Sequence, residues 1–215
     1  MPPILSIVGK SNSGKTTLLE SLIAEMKQRG YKVAVIKHAG EDIELDTVNK
    51  DTWRFSRAGS DISAINAGQK LAIFKAVARD FNAGDLATFI CGDYDLLLTE
   101  GFKQSDYPKI EVHRKEQGKD LVSPPEQLIA IVTDEPVEAS VPRFGKDEAR
   151  KIVDFIVETI LRPGAKDIDL FINDEPVALK PAAKDLLCRT LIAMAPGIKS
   201  VSDIKSLRVS LRRRI

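Results

Sequence analysis

Gly9-Lys10-Ser11-Asn12-Ser13-Gly14-Lys15-Thr16 fills every fixed position of the pattern G-x-x-x-x-G-K-[ST]. Its flanks supply the setting that the pattern needs. Before it runs the short apolar stretch Ile4 to Val8, and after it Leu18, Leu19, Leu22, Ile23 and Met26 recur at helical spacing as far as Gly30. A strand that turns through glycines into a helix presents consecutive backbone N–H groups, and the helix dipole adds positive potential at the same place. Such a loop cradles the phosphates of a nucleotide. Lys15 is placed to reach the β- and γ-phosphates, Thr16 to offer its hydroxyl to Mg²⁺, and Thr17 to touch the α-phosphate. Gly9, Lys10, Ser11, Asn12, Ser13, Gly14, Lys15, Thr16 and Thr17 are therefore the first nucleotide-binding candidates.

Working outward, Val33 to Ile36 reads as a second buried strand, and strand, helix, strand at these lengths is a βαβ unit of a parallel sheet. Ile62 to Asn66 and Leu71 to Phe74, divided by Ala67-Gly68-Gln69, predict a hairpin. Short helices are expected from Asp51 to Ala58 and from Asp85 to Ile90. Leu96 to Thr99, Ile110 to His113 and Leu128 to Val132 are further strands. A helix begins at Asp147 with Ala149, Ile152, Val153, Ile156 and Ile160 on one face. Pro163-Gly164 breaks the pattern. Beyond it, Ile168 to Ile172, the turn Asn173-Asp174, a helix near Lys184 to Met194 and the strand Leu207 to Leu211 suggest a small β-α-β tail. The expected fold is thus an α/β P-loop NTPase with a mostly parallel central sheet flanked by helices, plus a β-hairpin and that tail. Residues 1–162 would form the nucleotide-binding domain and 165–215 a small module of unassigned role.

The chain has 215 residues, 43% of them hydrophobic, enough for a packed core. Its 32 Lys and Arg balance 31 Asp and Glu, so no global field argues for nucleic acid or a membrane surface as partner. Cys91 and Cys188 are isolated, which suits a reducing compartment and speaks against a disulfide framework or zinc ligation. The first residues lack the charged region of a signal peptide, and no apolar run is long enough to span a bilayer. A cytoplasmic protein is expected.

A metal-site acid should stand at the carboxyl end of a strand beside the P-loop strand. Tyr94-Asp95-Leu96-Leu97-Leu98-Thr99-Glu100-Gly101 offers two, roughly 16 Å apart if extended at about 3.3 Å per residue. They cannot share one ion. Ligands gather beyond the carboxyl ends of parallel strands, which selects Glu100 and puts Asp95 at the opposite edge. Lys37 and His38 end the second strand on the P-loop side, His38 being either a phosphate contact or a surface histidine. Asp46 is the preferred acid of the loop that follows, for metal or water, although its cluster of carboxylates also suits a solvated loop. Lys10, five residues before Lys15, either reaches a partner subunit's nucleotide or is a solvated loop lysine. Arg54 and Arg57 lie three apart and either present an anion-binding face or pair with the acidic loop. Asp134, after a late strand, can accept the N–H donors of guanine but opposes the acceptor N1 of adenine, which favours GTP.

These segments together resemble the MobB adapter family of molybdopterin-guanine dinucleotide biosynthesis, over roughly residues 4 to 160. The resemblance rests on Val8 to Leu18, on Lys37-His38 with Asp46 and Lys50-Asp51-Thr52-Trp53-Arg54, and on Ala58-Gly59. It rests most specifically on Leu98-Thr99-Glu100-Gly101-Phe102-Lys103 and Pro108-Lys109-Ile110-Glu111-Val112. It implies a homodimeric GTP-binding protein with weak hydrolysis, requiring Mg²⁺ and working beside the molybdenum cofactor guanylyltransferase and molybdopterin. By position it makes Lys37, His38, Asp46, Lys50, Asp51, Arg54, Glu100 and Lys103 site candidates. Catalysis would fall to Lys15 with Glu100 or Asp46, and the metal to Thr16, Glu100 and Asp46. The family often carries another histidine soon after the first, whereas Ala39, Gly40 and Glu41 follow His38 here.

Two rivals share the P-loop. A GTP-dependent metallochaperone calls for Cys and His clusters, and this chain has two isolated cysteines and only His38 and His113. A small-molecule kinase calls for an arginine-rich lid, for which Arg54, Arg57 and Arg114 are the available material.

Overall fold

The computed structural model describes residues 2–39, 45–90, 94–118, 120–137 and 139–161, and beyond these only short pieces between residues 170 and 194. The chain begins with β1 (Ile4–Val8), α1 (Lys15–Gln28) and β2 (Val33–Lys37), the expected βαβ unit. There follow α2 (Asp51–Arg57), the hairpin β3 (Ile62–Ala67) and β4 (Lys70–Lys75), and α3 (Ala83–Phe89). Next come β5 (Leu96–Glu100), β6 (Lys109–Val112), β7 (Leu128–Val132), the two-residue β8 (Arg143–Phe144) and α4 (Ala149–Thr159).

Six strands form one sheet in the order β2-β5-β1-β6-β7-β8, and every neighbouring pair is parallel. All their carboxyl ends therefore share one edge. That edge collects the loops after Val8, Lys37, Glu100, Val112, Val132 and Phe144, which come from six separate parts of the sequence.

The two faces of the sheet differ. Leu5 and Ile7, Leu96 and Leu98, Ile110 and Val112, and Ala130 and Val132 alternate onto one face, where α1 and α4 cover them with Leu18, Leu22, Met26, Ile152, Val153 and Ile156. Among the described helices the short α3 covers the other face, through Ala83 and Ala87 against Ile4, Ile36 and Leu97. Loops complete that side, and buried polar residues bond to them. Thr99 donates to Ser6 at 2.9 Å, and the buried Lys109 ammonium donates to the carbonyls of Ser105 and Tyr107 and to Gln127. The buried Glu111 carboxylate accepts from the backbone N–H groups of Val122 and Ser123 at 2.8 and 2.9 Å. Each of these groups has the partners that burial demands.

Several boundaries moved. Asn82 rather than Asp85 caps α3; Asp85 sits three residues inside and closes a reciprocal capping box with it. The helix expected from Asp147 starts at Ala149. The strand β8 and a 3-10 turn at Lys115–Gln117 were not foreseen. In the tail, β9 (Leu170–Ile172) pairs antiparallel with β10 (Glu175–Val177), and the expected turn Asn173-Asp174 lies outside the described residues. Helical residues occur between 183 and 194, while the Leu207 to Leu211 strand lies outside the described residues.

Candidate functional site

The loop Gly9 to Thr17 lies at the crowded edge of the sheet, and its backbone requires its glycines. Gly9 has φ 145°, and a Cβ there would stand 2.4 Å from the carbonyl oxygen of Val112 on β6. Gly14 is the N-cap of α1 at φ 94°, with no side-chain cap, and the first turn holds no acidic residue. The first N–H groups of a 14-residue helix are therefore left to whatever binds beyond them. Ser13 Oγ is buried in the same loop without a hydrogen-bond partner.

Several cations gather at this loop. Lys15 Nζ donates to its own loop, at the carbonyl of Lys10, 2.7 Å away. Burial pulls its pKa below the usual lysine value, with Glu100 partly opposing and Lys103 and Lys37 adding to the fall. Lys10 Nζ donates to the carbonyl of Gln117 at 2.6 Å, and the Gln117 amide donates to the carbonyl of Ser11. Lys10 is thus tied to the 3-10 turn of its own chain.

Thr16 and Glu100 meet as expected: Thr16 Oγ1 donates to Glu100 Oε2 at 3.1 Å, and Lys37 Nζ lies 3.4 Å from Glu100 Oε1. A hydroxyl and a carboxylate side by side at a phosphate cradle fit Mg²⁺, which takes few protein ligands and completes its shell with phosphate and water. Among the described residues no group of three or more His, Cys, Asp or Glu could hold a metal without such help. Asp95 lies at the far edge, accepting from the N–H of Lys32 at 2.8 Å.

His38 flanks this group. Its N–H donates to the carbonyl of Glu100 at 2.9 Å, its ring lies 4.9 Å from that of Phe102, and Nε2 is 2.8 Å from Asp80 Oδ2. Phe102 is largely buried at φ 53°, a left-handed conformation that non-glycine residues adopt at a cost of about 1–3 kcal/mol. Asp134 follows β7 at the same edge of the sheet, with Arg114 Nη1 and Lys146 Nζ each 3.9 Å from its Oδ2.

Asp46 is not brought to Thr16 and Glu100 by any contact. Its Oδ1 accepts from the N–H of Thr47 at 2.8 Å and from the hydroxyl of Thr52 at 3.1 Å, tying down the turn before α2. Asp46 lines a separate cavity of about 430 Å³ with Lys50, Asp51, Thr52, Ile65 and Phe74. Nor is Asp46 among the charges acting on Lys15. The rest of the acidic stretch, 41–44, is outside the described residues. Arg54 and Arg57 form no ion pair with Asp46, and Arg57 instead lies 5.6 Å from the Trp53 ring. Sequence reading missed Asp80, Gln117 and Lys146, and gave Arg114 a place only in the kinase alternative. The available signal was position: Arg114 follows β6 just as Asp134 follows β7.

A parallel sheet with the phosphate loop after β1, a carboxylate on the neighbouring β5 and a hydroxyl at the start of α1 defines a P-loop NTPase-like protein. The comparisons narrow this: the profile of the family described as molybdopterin guanine dinucleotide synthesis protein B matches residues 4–134. The molybdopterin-guanine dinucleotide biosynthesis adapter protein of Haemophilus influenzae is 39% identical over 158 residues, covering 72% of this chain and 87% of that one. A putative adapter from Methanocaldococcus jannaschii is 26% identical over 235 residues, covering 97% of both, so the tail has a counterpart in length there. The crystal structure of Bacillus subtilis MobB superposes with a TM-score of 0.60 at 29% identity, covering 75% of this chain and 99% of that one. The chain belongs to the MobB family.

Proposed function

We propose that the protein is a GTP-binding adapter with slow GTPase activity that assists molybdopterin guanine dinucleotide synthesis, working beside the guanylyltransferase that joins the guanine nucleotide to molybdopterin. The observation that carries the reading is the uncapped start of α1, with Thr16 on Glu100 and Lys15 turned back onto its own loop. Family membership supplies the pathway.

On this reading the backbone of Gly9 to Thr17 holds the phosphates, and Lys15 exchanges the carbonyl of Lys10 for phosphate oxygens. Thr16 and Glu100 hold Mg²⁺, which supplies neutralisation of phosphate charge. Glu100 also orients the attacking water. Asp134 accepts the donor edge of guanine. Turnover is slow because, among the described residues, the edge offers electrostatic stabilisation without a dedicated base: Glu100 already contacts Thr16 and Lys37.

A homodimer suits the hairpin. By the hairpin register Ile62, Leu71 and Ile73 share one face of β3 and β4 and are each more than half exposed, with Ile65 on the opposite face, and a two-stranded ribbon is marginal alone. A contiguous apolar surface of this kind marks an interface, and a second copy is the occupant this reading assigns to it.

The deciding experiment follows GTP consumption in single turnover, with and without small-molecule acceptors. The adapter reading expects slow release of GDP and phosphate, slower still in Glu100→Gln, with no phosphorylated acceptor. A phosphorylated small molecule would move the protein into the kinase class.

A further inference from the structure

We infer that Arg114 is the base-side contact of the nucleotide, its planar guanidinium forming the surface on which the base lies. The inference rests on the guanine-nucleotide reading and adds a residue to it.

Electrostatics make the position of Arg114 unusual. Its Nη2 is 3.5 Å from where a Cβ on Gly14 would be, which puts a cation beside the uncapped, positive end of α1. Lys10 and Lys15 belong to the same loop. Among the described residues Asp134 is the acid that pairs with Arg114, and 3.9 Å is too long for a hydrogen bond. What fixes the guanidinium is the carbonyl of His113, to which Nη1 donates at 3.0 Å. The side chain is only 22% exposed, so this is a held group and not a solvated one. A cation so placed is at rest only when negative charge or an electron-rich face lies beside it.

Topology identifies that neighbour. The phosphate loop follows β1, Arg114 follows β6 and Asp134 follows β7, and these three strands are consecutive in the sheet. Neighbouring strands are about 4.8 Å apart, so phosphate cradle and base-reading acid are roughly 10 Å apart with β6 midway. A nucleotide with phosphates on the loop and its base edge at Asp134 must pass across Arg114. Guanidinium groups stack on aromatic planes, and a purine offers one. Asp134 then reads the edge of the ring and Arg114 supports its face.

The test measures calorimetric binding of Mg²⁺-GTP and of Mg²⁺ inorganic triphosphate to the native protein, Arg114→Gln, Arg114→Lys and Lys15→Ala. Arg114→Gln should weaken GTP about tenfold while inorganic triphosphate binds as it does to the native chain, which also shows that the loop is folded. Arg114→Lys, which keeps the charge and loses the plane, should recover only a minor part of the loss. Equal weakening of both ligands would make Arg114 a phosphate contact and overturn the inference. So would full recovery by lysine, or no effect on either ligand. Lys15→Ala should lose both ligands; if it kept both, the nucleotide reading would fail, and this inference with it.

Discussion

Replacing Gly9 by alanine asks how tightly the phosphate loop is fitted to the sheet. The new Cβ would stand 2.4 Å from the carbonyl oxygen of Val112 and 2.8 Å from Ser13 Oγ. Ser13 can rotate. Val112 cannot give way so easily, because it belongs to β6, which pairs with β1 up to Val8 and Glu111. Forcing an extra carbon into such a contact costs about 1–3 kcal/mol, and the positive φ adds about 1–2 kcal/mol. Gly14→Ala is the control. Its φ of 94° brings the same backbone penalty, but the nearest atom is the Arg114 side chain at 3.5 Å, an ordinary contact. Both substitutions gain the same few tenths to about 1 kcal/mol from a stiffer unfolded chain, so that term cancels. Gly9→Ala should therefore cost about 1–3 kcal/mol more than Gly14→Ala, from a total on the order of 5–15 kcal/mol. Urea unfolding at unchanged slope reads both. Losses equal within about 0.5 kcal/mol would refute the claim that β6 walls the loop.

Two further outcomes follow from the surface. Leu71→Lys with Ile73→Lys, two exposed residues on one face of the hairpin, should give a monomer in sedimentation where the proposed native form is a dimer, while leaving the six-stranded sheet intact, whereas an unchanged sedimentation profile would remove the hairpin from the interface. Asp85 accepts from Arg79 Nη1 at 2.7 Å, and chiefly that bond holds its carboxyl below the usual range. A depressed folded pKa contributes stability above the unfolded value, about 3.9, and that contribution disappears as pH falls through the folded one. The stability gap between native protein and Arg79→Met should thus be wider at about pH 7 than below about pH 3; a gap indifferent to pH would dismiss the pairing.

Much of this was legible in the sequence because its signals are local. Gly9 to Thr16 carries its own geometry, and the apolar runs beside it gave strand and helix. The placement of Glu100 at the phosphate-loop edge was reachable because strand direction alone separates it from Asp95, and it lies there beside Thr16 while Asp95 lies beside Lys32. What stayed hidden depends on pairing between distant segments. β8 has two residues, too few for any periodicity, and exists because Ile131 and Val132 offer it a parallel edge. Arg114 looked like one of several loop arginines until the parallel register put the ends of β1, β6 and β7 in a row. Asp46 looked like a metal ligand because it is acidic and follows Lys37-His38, yet its contacts are with Thr47 and Thr52. Lys109 and Glu111, which enter the sequence reading only within the family segment Pro108 to Val112, are buried, each satisfied by a loop whose course no local signal announces.

The most direct measurement is equilibrium binding of GTP and of ATP, each with and without Mg²⁺, to the native protein and to Lys15→Ala. The account predicts Mg²⁺-dependent binding of GTP, much weaker binding of ATP, and loss of GTP binding in Lys15→Ala. ATP bound as tightly as GTP would contradict the role given to Asp134, and undiminished GTP binding by Lys15→Ala would contradict the role given to the loop itself.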